Sequence, residues 1–196
     1  RTKLTPHFDG PPGYISKQDK MRGHRNYFEK VPDIGFMQKG LKKTLDIEDC
    51  PIGTDAVRMG MKRERVRVAN ELEKYRRGAT ILLRESTKRI PVDDEAASKT
   101  LPDTIKTTTA KHTYFKSCIT DNNGNSTEYI DDFVFTSIAG SFFQNNNSIL
   151  PPFTQYIRDH IMPPSSSTGP PIKYLIDAYS GSGLFTITLS SLFTTS

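Results

Sequence analysis

The segment "YLIDAYSGSGLFTITLSS", Tyr174 to Ser191, narrows the choice of fold more than any other stretch of this chain. A short apolar run ends in an acid, two glycines spaced by a serine follow, and a run compatible with helix comes next. That order reads as strand, tight turn and helix start, the connection from which α/β layers are built. Gly181 and Gly183 lack a Cβ, so the backbone there can take sharp dihedrals and come close to a ligand. The pattern is not G-x-G-x-x-G and has no P-loop lysine, which argues against dinucleotides and nucleoside triphosphates. A nucleoside-type cofactor without a triphosphate fits it better. The alternative is an ordinary strand-to-helix turn.

Charge is distributed unevenly. Residues 1–100 carry 22 Lys plus Arg against 15 Asp plus Glu, whereas residues 101–196 carry 5 against 7. A basic front and a slightly acidic rear put a polyanion-facing surface and a small-molecule site in different parts. With 196 residues and 35% of them apolar, the chain has room for a core but also for much surface and loop. No apolar run is long enough to cross a bilayer and "RTKLTPHFDG" resembles no secretory signal, so a soluble intracellular protein is the expectation. The two cysteines, Cys50 and Cys118, have neither disulfide-framework nor metal-ligand spacing, and no metal is expected.

Along the chain, "RTKLTPHF" alternates as a strand, and a loop follows from Asp9 to Asp33. "IGFMQKG" and "KTLDIEDC" read as a hairpin around Gly40. Thr54 or Asp55 is the expected N-cap of a helix over about residues 55–77, with Val57, Met61, Val68, Leu72 and Tyr75 on one stripe and eight Lys or Arg opposite. That basic face would contact phosphate or simply be solvated. "ATILLRES" reads as a strand and "KRIPVDDEAASKTLPD" as an exposed loop. "TIKTTTAKHTYFKSCIT" and "TEYIDDFVFTSIAG" predict a long antiparallel hairpin across "DNNGN". Ser148 or the neighbouring asparagines would cap a helix with Ile149, Phe153, Tyr156 and Ile157 on its apolar side, and "PPSSSTGPP" would link it to a final strand.

"GSFFQNNNSILPPFTQYIRDHI" and "YLIDAYSGSGLFTITLSSLF" together resemble the start of the catalytic domain of the RNA uracil-C5 methyltransferases that use S-adenosylmethionine, nearest their eukaryotic, especially fungal, tRNA uridine-54 branch. "RTKLTPHFDGPPG", "DIGFMQKG" and "LDIEDCPIG" resemble the strands and turn that precede that domain, in the same order. The resemblance implies an α/β fold: a β-rich, RNA-facing region over residues 1–135, with one long basic helix, and the opening of a Rossmann-like methyltransferase domain over 136–196. It implies S-adenosylmethionine as cofactor and tRNA as partner, with methylation of T-loop uridine 54 at C5. Gln144, Asp177, Tyr179, Gly181 and Gly183 would bind the cofactor, with Phe142 and Phe143 walling the pocket. For Gln144 the alternative is a loop-capping amide, and for the phenylalanines core packing. Ser180 stands where the family often has Cys, at a position that is not the nucleophile.

The resemblance also implies covalent catalysis, in which a cysteine thiolate adds to C6 of a flipped-out uracil, C5 takes the methyl group, and a base removes the C5 proton. It places that cysteine and the base glutamate beyond Ser196, so the chain reads as a fragment that is inactive alone. Cys50 and Cys118 read as structural, and the four histidines have no triad or metal spacing. Two rival readings remain. One is an RNA-binding module without chemistry. The other is a nuclease holding a metal at Asp93, Asp94 and Glu95, although consecutive acids do not converge on one cation.

Overall fold

The structure, a computed structural model, describes all residues except 12, 14, 16, 25, 163–169, 171, 195 and 196. In chain order the elements are β1 (Lys3–Leu4), β2 (His7–Asp9), α1 (Lys17–Met21), β3 (Gly35–Met37), β4 (Thr44–Asp46), α2 (Asp55–Asn70), β5 (Gly78–Thr80), β6 (Leu83–Pro91), β7 (Thr104–Thr108), β8 (His112–Ile119), β9 (Asn125–Ile130), β10 (Phe133–Ile138), α3 (Leu150–His160) and α4 (Leu184–Leu189). The strands form sheets ordered β1-β6-β8-β7 and β4-β3-β2-β5 and a ribbon of β9 with β10. Their ladders are antiparallel. The mixed α/β class expected from the sequence therefore holds.

Helix α2 is the organising element of the front half. Val57, Met61 and Val68 are fully buried and meet Leu4, Phe8, Ile34, Leu83 and Cys118 in the first core. Burying side chains of this size stabilises by roughly 1.5–3 kcal/mol each. The sequence marks Gly60 as a weak point of this helix, and the structure shows why it is there. A Cβ at Gly60 would lie 2.2 Å from the Cys118 Sγ and 2.6 Å from its Cβ, so the absent side chain is what lets helix and sheet approach. The helix stops at Asn70 rather than near residue 77, because Glu71 leaves helical dihedrals and a 3-10 turn at Leu72–Lys74 takes over. Leu72 and Tyr75 still pack on the core from that turn. Thr54 is the N-cap residue, without a side-chain cap bond.

Several sequence expectations are corrected. Residues 1–8 do not form one strand. Pro6 offers no N–H to a ladder, and the chain breaks there into β1, which pairs with β6, and β2, which pairs with β3 and β5. "ATILLRES" is likewise split between β5 and β6, and β6 continues to Pro91, so Lys88–Pro91 is strand rather than loop. The segment from Asp9 to Asp33 contains α1. The hairpin around Gly40 forms as expected, pairing Phe36 with Leu45.

The long hairpin across "DNNGN" is not formed. Strand β8 instead turns back onto β7, where Thr109 receives the His112 amide on its Oγ1 at 3.1 Å and donates its own N–H to the His112 carbonyl at 2.8 Å. Strand β9 pairs with β10 through Asp131 and Asp132, with Asp131 at φ +52°, where aspartate is among the better tolerated non-glycine residues. "DNNGN" becomes a link, closed by Gly124 N–H to Asp121 O at 3.1 Å, that carries the chain from sheet to ribbon.

A second core unites Ile130, Phe135, Phe143, Leu150 and Leu184, with Phe133 and Phe185 at its margin. Helix α3 starts after a 3-10 turn at Asn147–Ile149 and carries prolines in its first turn, where their missing N–H costs nothing. Neither Ser148 nor an asparagine caps it. Leu150 and Thr154 are its buried residues, whereas Ile149, Phe153 and Tyr156 face solvent. The expected final strand at Tyr174–Ile176 reduces to a single bridge at Tyr174, because no described strand lies alongside to pair with it. The expected linker 163–171 lies outside the described residues apart from Pro170.

Candidate functional site

The loop after β10 is fastened on both sides of Gln144. Lys3 Nζ donates to the carbonyls of Gly140 and Ser141 at 2.9 and 3.2 Å. Phe143 is 2% exposed and its ring lies 5.3 Å from that of Phe135. On the other side, the Asn145 carbonyl accepts the Thr2 N–H at 2.9 Å, and its side-chain oxygen accepts Arg84 Nη1 at 3.1 Å. Arg84 also pairs with Glu128, whose second oxygen accepts Asn147 Nδ2 at 2.9 Å. Burial lowers the Arg84 pKa and raises that of Glu128, each partly offset by the other's charge. Burial, with Arg84 nearby, also lowers that of Lys3. Gln144 itself is exposed, so its amide is presented to solvent from a backbone that cannot shift easily.

The glycine turn is built differently. Asp177 Oδ2 accepts the Thr186 N–H at 3.0 Å and its hydroxyl at 2.6 Å, fixing the start of α4 from nine residues upstream. Gly183 donates its N–H to Ser180 O at 2.9 Å. Tyr179, Gly181 and Gly183 all have left-handed φ, at +63°, +56° and +75°. A Cβ at Gly181 would meet only the Tyr179 carbonyl, at 3.8 Å, and one at Gly183 only the Ile187 side chain. The glycines are therefore required by backbone conformation, and the space over the turn is open. Tyr179 holds a conformation that costs about 1–3 kcal/mol for a bulky residue, with its ring fully in solvent.

Gln144 on one side and Asp177, Tyr179, Gly181 and Gly183 on the other share a foundation rather than a contact. Phe143 and Leu184, their sequence neighbours, belong to the same buried cluster. Arg158 ties α3 to the Thr188 carbonyl, and Phe153 meets Phe185 edge-on at 5.6 Å. No hydrogen bond or ring contact joins Gln144 to the turn among the described residues. Of the two expected pocket walls, Phe143 is core and Phe142 is exposed. The residues that sequence reasoning missed are Arg84, Glu128, Asn145 and Asn147. For Glu128 the signal was a lone charge in the run "TEYI", and for Arg84 a charged pair, Arg84 and Glu85, directly after the apolar run "ILL".

Elsewhere the candidates weaken. Burial pushes the Cys118 thiol up to about 11, so its thiolate fraction at neutral pH is on the order of one in ten thousand. Cys50 is also free and buried. Asp94 spends a carboxylate oxygen on the Ala96 N–H, and among the described residues no group of three or more His, Cys, Asp or Glu side chains is placed to hold a metal ion. The basic face of α2 is largely neutralised. Arg58 pairs with Asp49, Arg63 with Asp103, Arg65 with Asp46, Arg67 with Glu64 and Glu71, and Lys74 with Glu71. Among the described residues no helix is long and apolar enough to cross a membrane.

Beside a basic, β-rich front and an exposed glycine turn mounted on a second core stands a similarity in sequence to two curated proteins. The relatives themselves are tRNA (uracil(54)-C(5))-methyltransferases. That of Saccharomyces cerevisiae is 34% identical over 212 residues, covering 95% of this chain and 32% of the relative. That of Schizosaccharomyces pombe is 36% identical over 195 residues, covering 98% and 30%. The chain thus spans about a third of the length of the curated relatives it matches. In fold it is similar to the crystal structure of Pyrococcus abyssi tRNA (uracil-54, C5)-methyltransferase in complex with S-adenosyl-L-homocysteine, with a TM-score of 0.54 at 19% identity, covering 100% of this chain and 47% of that one. No family model matches the chain.

Proposed function

We propose that this chain is the part of an S-adenosylmethionine-dependent tRNA uridine-54 C5-methyltransferase that supplies one side of the cofactor pocket and an RNA-facing surface. The observation that carries the reading is similarity to two such enzymes over nearly the whole chain, in one continuous order. In the fold neighbour, the product form of that cofactor is bound. The functional division falls at about residue 135, with the RNA-facing region before it and the opening of a Rossmann-like domain after it.

The residues present fit such a cofactor as an open half-site. Gln144 offers an amide on an anchored loop, Tyr179 an exposed ring, and Gly181 and Gly183 a backbone with unobstructed approach. Asp177 acts mainly by holding Thr186 and so the shape of the turn. When bound, the cofactor supplies an electrophilic methyl group. The chain's own contribution is to hold and orient it, and neither cysteine described here is suited to attack uracil.

The test is equilibrium binding of S-adenosylmethionine to this chain, alone and grafted in place of the matching segment of the S. cerevisiae relative. Binding in either setting that weakens about tenfold or more, roughly 1.4 kcal/mol, on Gln144→Ala or Gly183→Val supports the assignment. Binding that neither substitution weakens overturns it.

A further inference from the structure

Five of the eight Lys and Arg over residues 58–77 already have acidic partners, which leaves the question of where an RNA backbone would dock. The ion pairs of α2 and of the 3-10 turn after it account for Arg58, Arg63, Arg65, Arg67 and Lys74. Arg76 and Arg77, just after the helical region, have no ion-pair partner among the described residues and are exposed. They line a cleft of about 520 Å³ with Lys20 and His24, and none of its described lining residues is acidic.

The cleft is a built feature rather than a chance gathering of long side chains. A Cβ at Gly10 would lie 3.1 Å from the Arg77 backbone, so the chain at Gly10 lies directly against Arg77. Gly78 pairs with Asp9 in the β2–β5 ladder at φ +79°, and a Cβ there would lie 2.2 Å from the Phe8 carbonyl. The backbone carrying Arg77 is thereby fixed to the sheet. Two further lining residues are tied together by Asn26 Nδ2 donating to the Gly13 carbonyl at 2.9 Å.

We propose that this cleft, with Arg76, Arg77 and Lys20, seats the phosphate backbone of the tRNA, and that the basic face of α2 does not. The inference rests on the tRNA reading above. Unpaired guanidiniums on a fixed backbone can take phosphate without first breaking an ion pair, whereas those of α2 must surrender one. Each phosphate neutralised releases counterions, so the contacts are visible in the salt dependence of binding.

The experiment measures the affinity of this chain for a tRNA transcript between about 50 and 200 mM salt, the range over which phosphate contacts change affinity most visibly. It compares the unaltered chain with Arg76→Ala/Arg77→Ala, Lys20→Ala and Arg58→Ala, with circular dichroism confirming that each is folded. The double variant should lose about tenfold in affinity at the lower salt, and the slope of log K against log salt should fall by about 1.5. Lys20→Ala should lower it by about half as much, and Arg58→Ala should leave it unchanged. An unchanged slope for the double variant, on RNA that still binds, or a larger effect at Arg58, overturns the cleft and leaves the tRNA reading standing. Failure of the unaltered chain to bind tRNA overturns both.

Discussion

Arg84 and Glu128, 44 positions apart, meet in an ion pair whose side chains are 1% and 4% exposed. Between them they hold Asn145 and Asn147, so the loop that presents Gln144 is fastened to the sheet by charge rather than by packing alone. The pair is a device for position more than for stability, because desolvating both charges offsets much of their attraction.

Breaking the pair on one side should be costly. Arg84→Met leaves a carboxylate, and Glu128→Gln a guanidinium, buried without its counter-charge, and each should destabilise by about 3–5 kcal/mol in denaturant unfolding. The double variant Arg84→Met/Glu128→Met should cost clearly less than the sum of the singles, with a coupling energy of about 1–3 kcal/mol. Additive losses would show that the two charges act independently.

Gly60→Ala sets helix propensity against packing. In an exposed helix interior the change gains about 1 kcal/mol. Here the new methyl would fall 2.2 Å from the Cys118 Sγ, and both α2 and β8 would have to separate. Overpacking of this kind costs about 1–3 kcal/mol, so the expected net result in urea melts is destabilisation. A stabilised Gly60→Ala variant would mean that helix and sheet are farther apart than described.

Both cysteines should be silent in the folded protein. Cys118 combines burial with a thiol pushed up to about 11, and Cys50 is buried beside the same core. A thiol reagent at pH 7.5 should therefore titrate close to zero groups in the native chain and both after denaturation. Prompt native reaction of either would contradict the packing around α2.

What could be read from the sequence was what depends on neighbours along the chain. The stripe Val57, Met61 and Val68, the turn at Gly40 and the glycine conformations at 181 and 183 follow from local periodicity and backbone chemistry, and each is present. What could not be read depends on distant partners. The turn residues of "DNNGN" suit a hairpin, but Thr109 and Asp131 supply competing turns, and which one closes depends on how β6 and β10 are placed. Tyr174–Ile176 has strand composition without a described strand to pair with. The candidate site divides in the same way. Gln144, Asp177, Tyr179, Gly181 and Gly183 stood out individually, whereas the Arg84–Glu128 anchor beneath Gln144 joins residues whose sequence contexts do not point to each other.

Asp46 gives the clearest pH signature. Arg65 donates to both its oxygens, at 2.8 and 3.0 Å, and also to the Ile34 carbonyl, while the Ile34 N–H donates to Asp46. The hydrogen bond from Arg65 lowers the Asp46 pKa below its ordinary 3.8, with a smaller contribution from Ile34 and a partial offset from burial. Because the folded value lies below the unfolded one, the contact's contribution to stability is present above pH 3.8 and is lost as pH falls through the folded pKa. The carboxylate is more than a third exposed, so solvent screens the effect and the readout should be the titration itself. An NMR titration of the Asp46 carboxyl should show a midpoint below 3.8 in the unaltered chain and a shift upward in Arg65→Gln, with the acid unfolding midpoint moving to higher pH. A midpoint unchanged by Arg65→Gln would remove Arg65 as the cause and, with it, the tie between α2 and the β3–β4 hairpin.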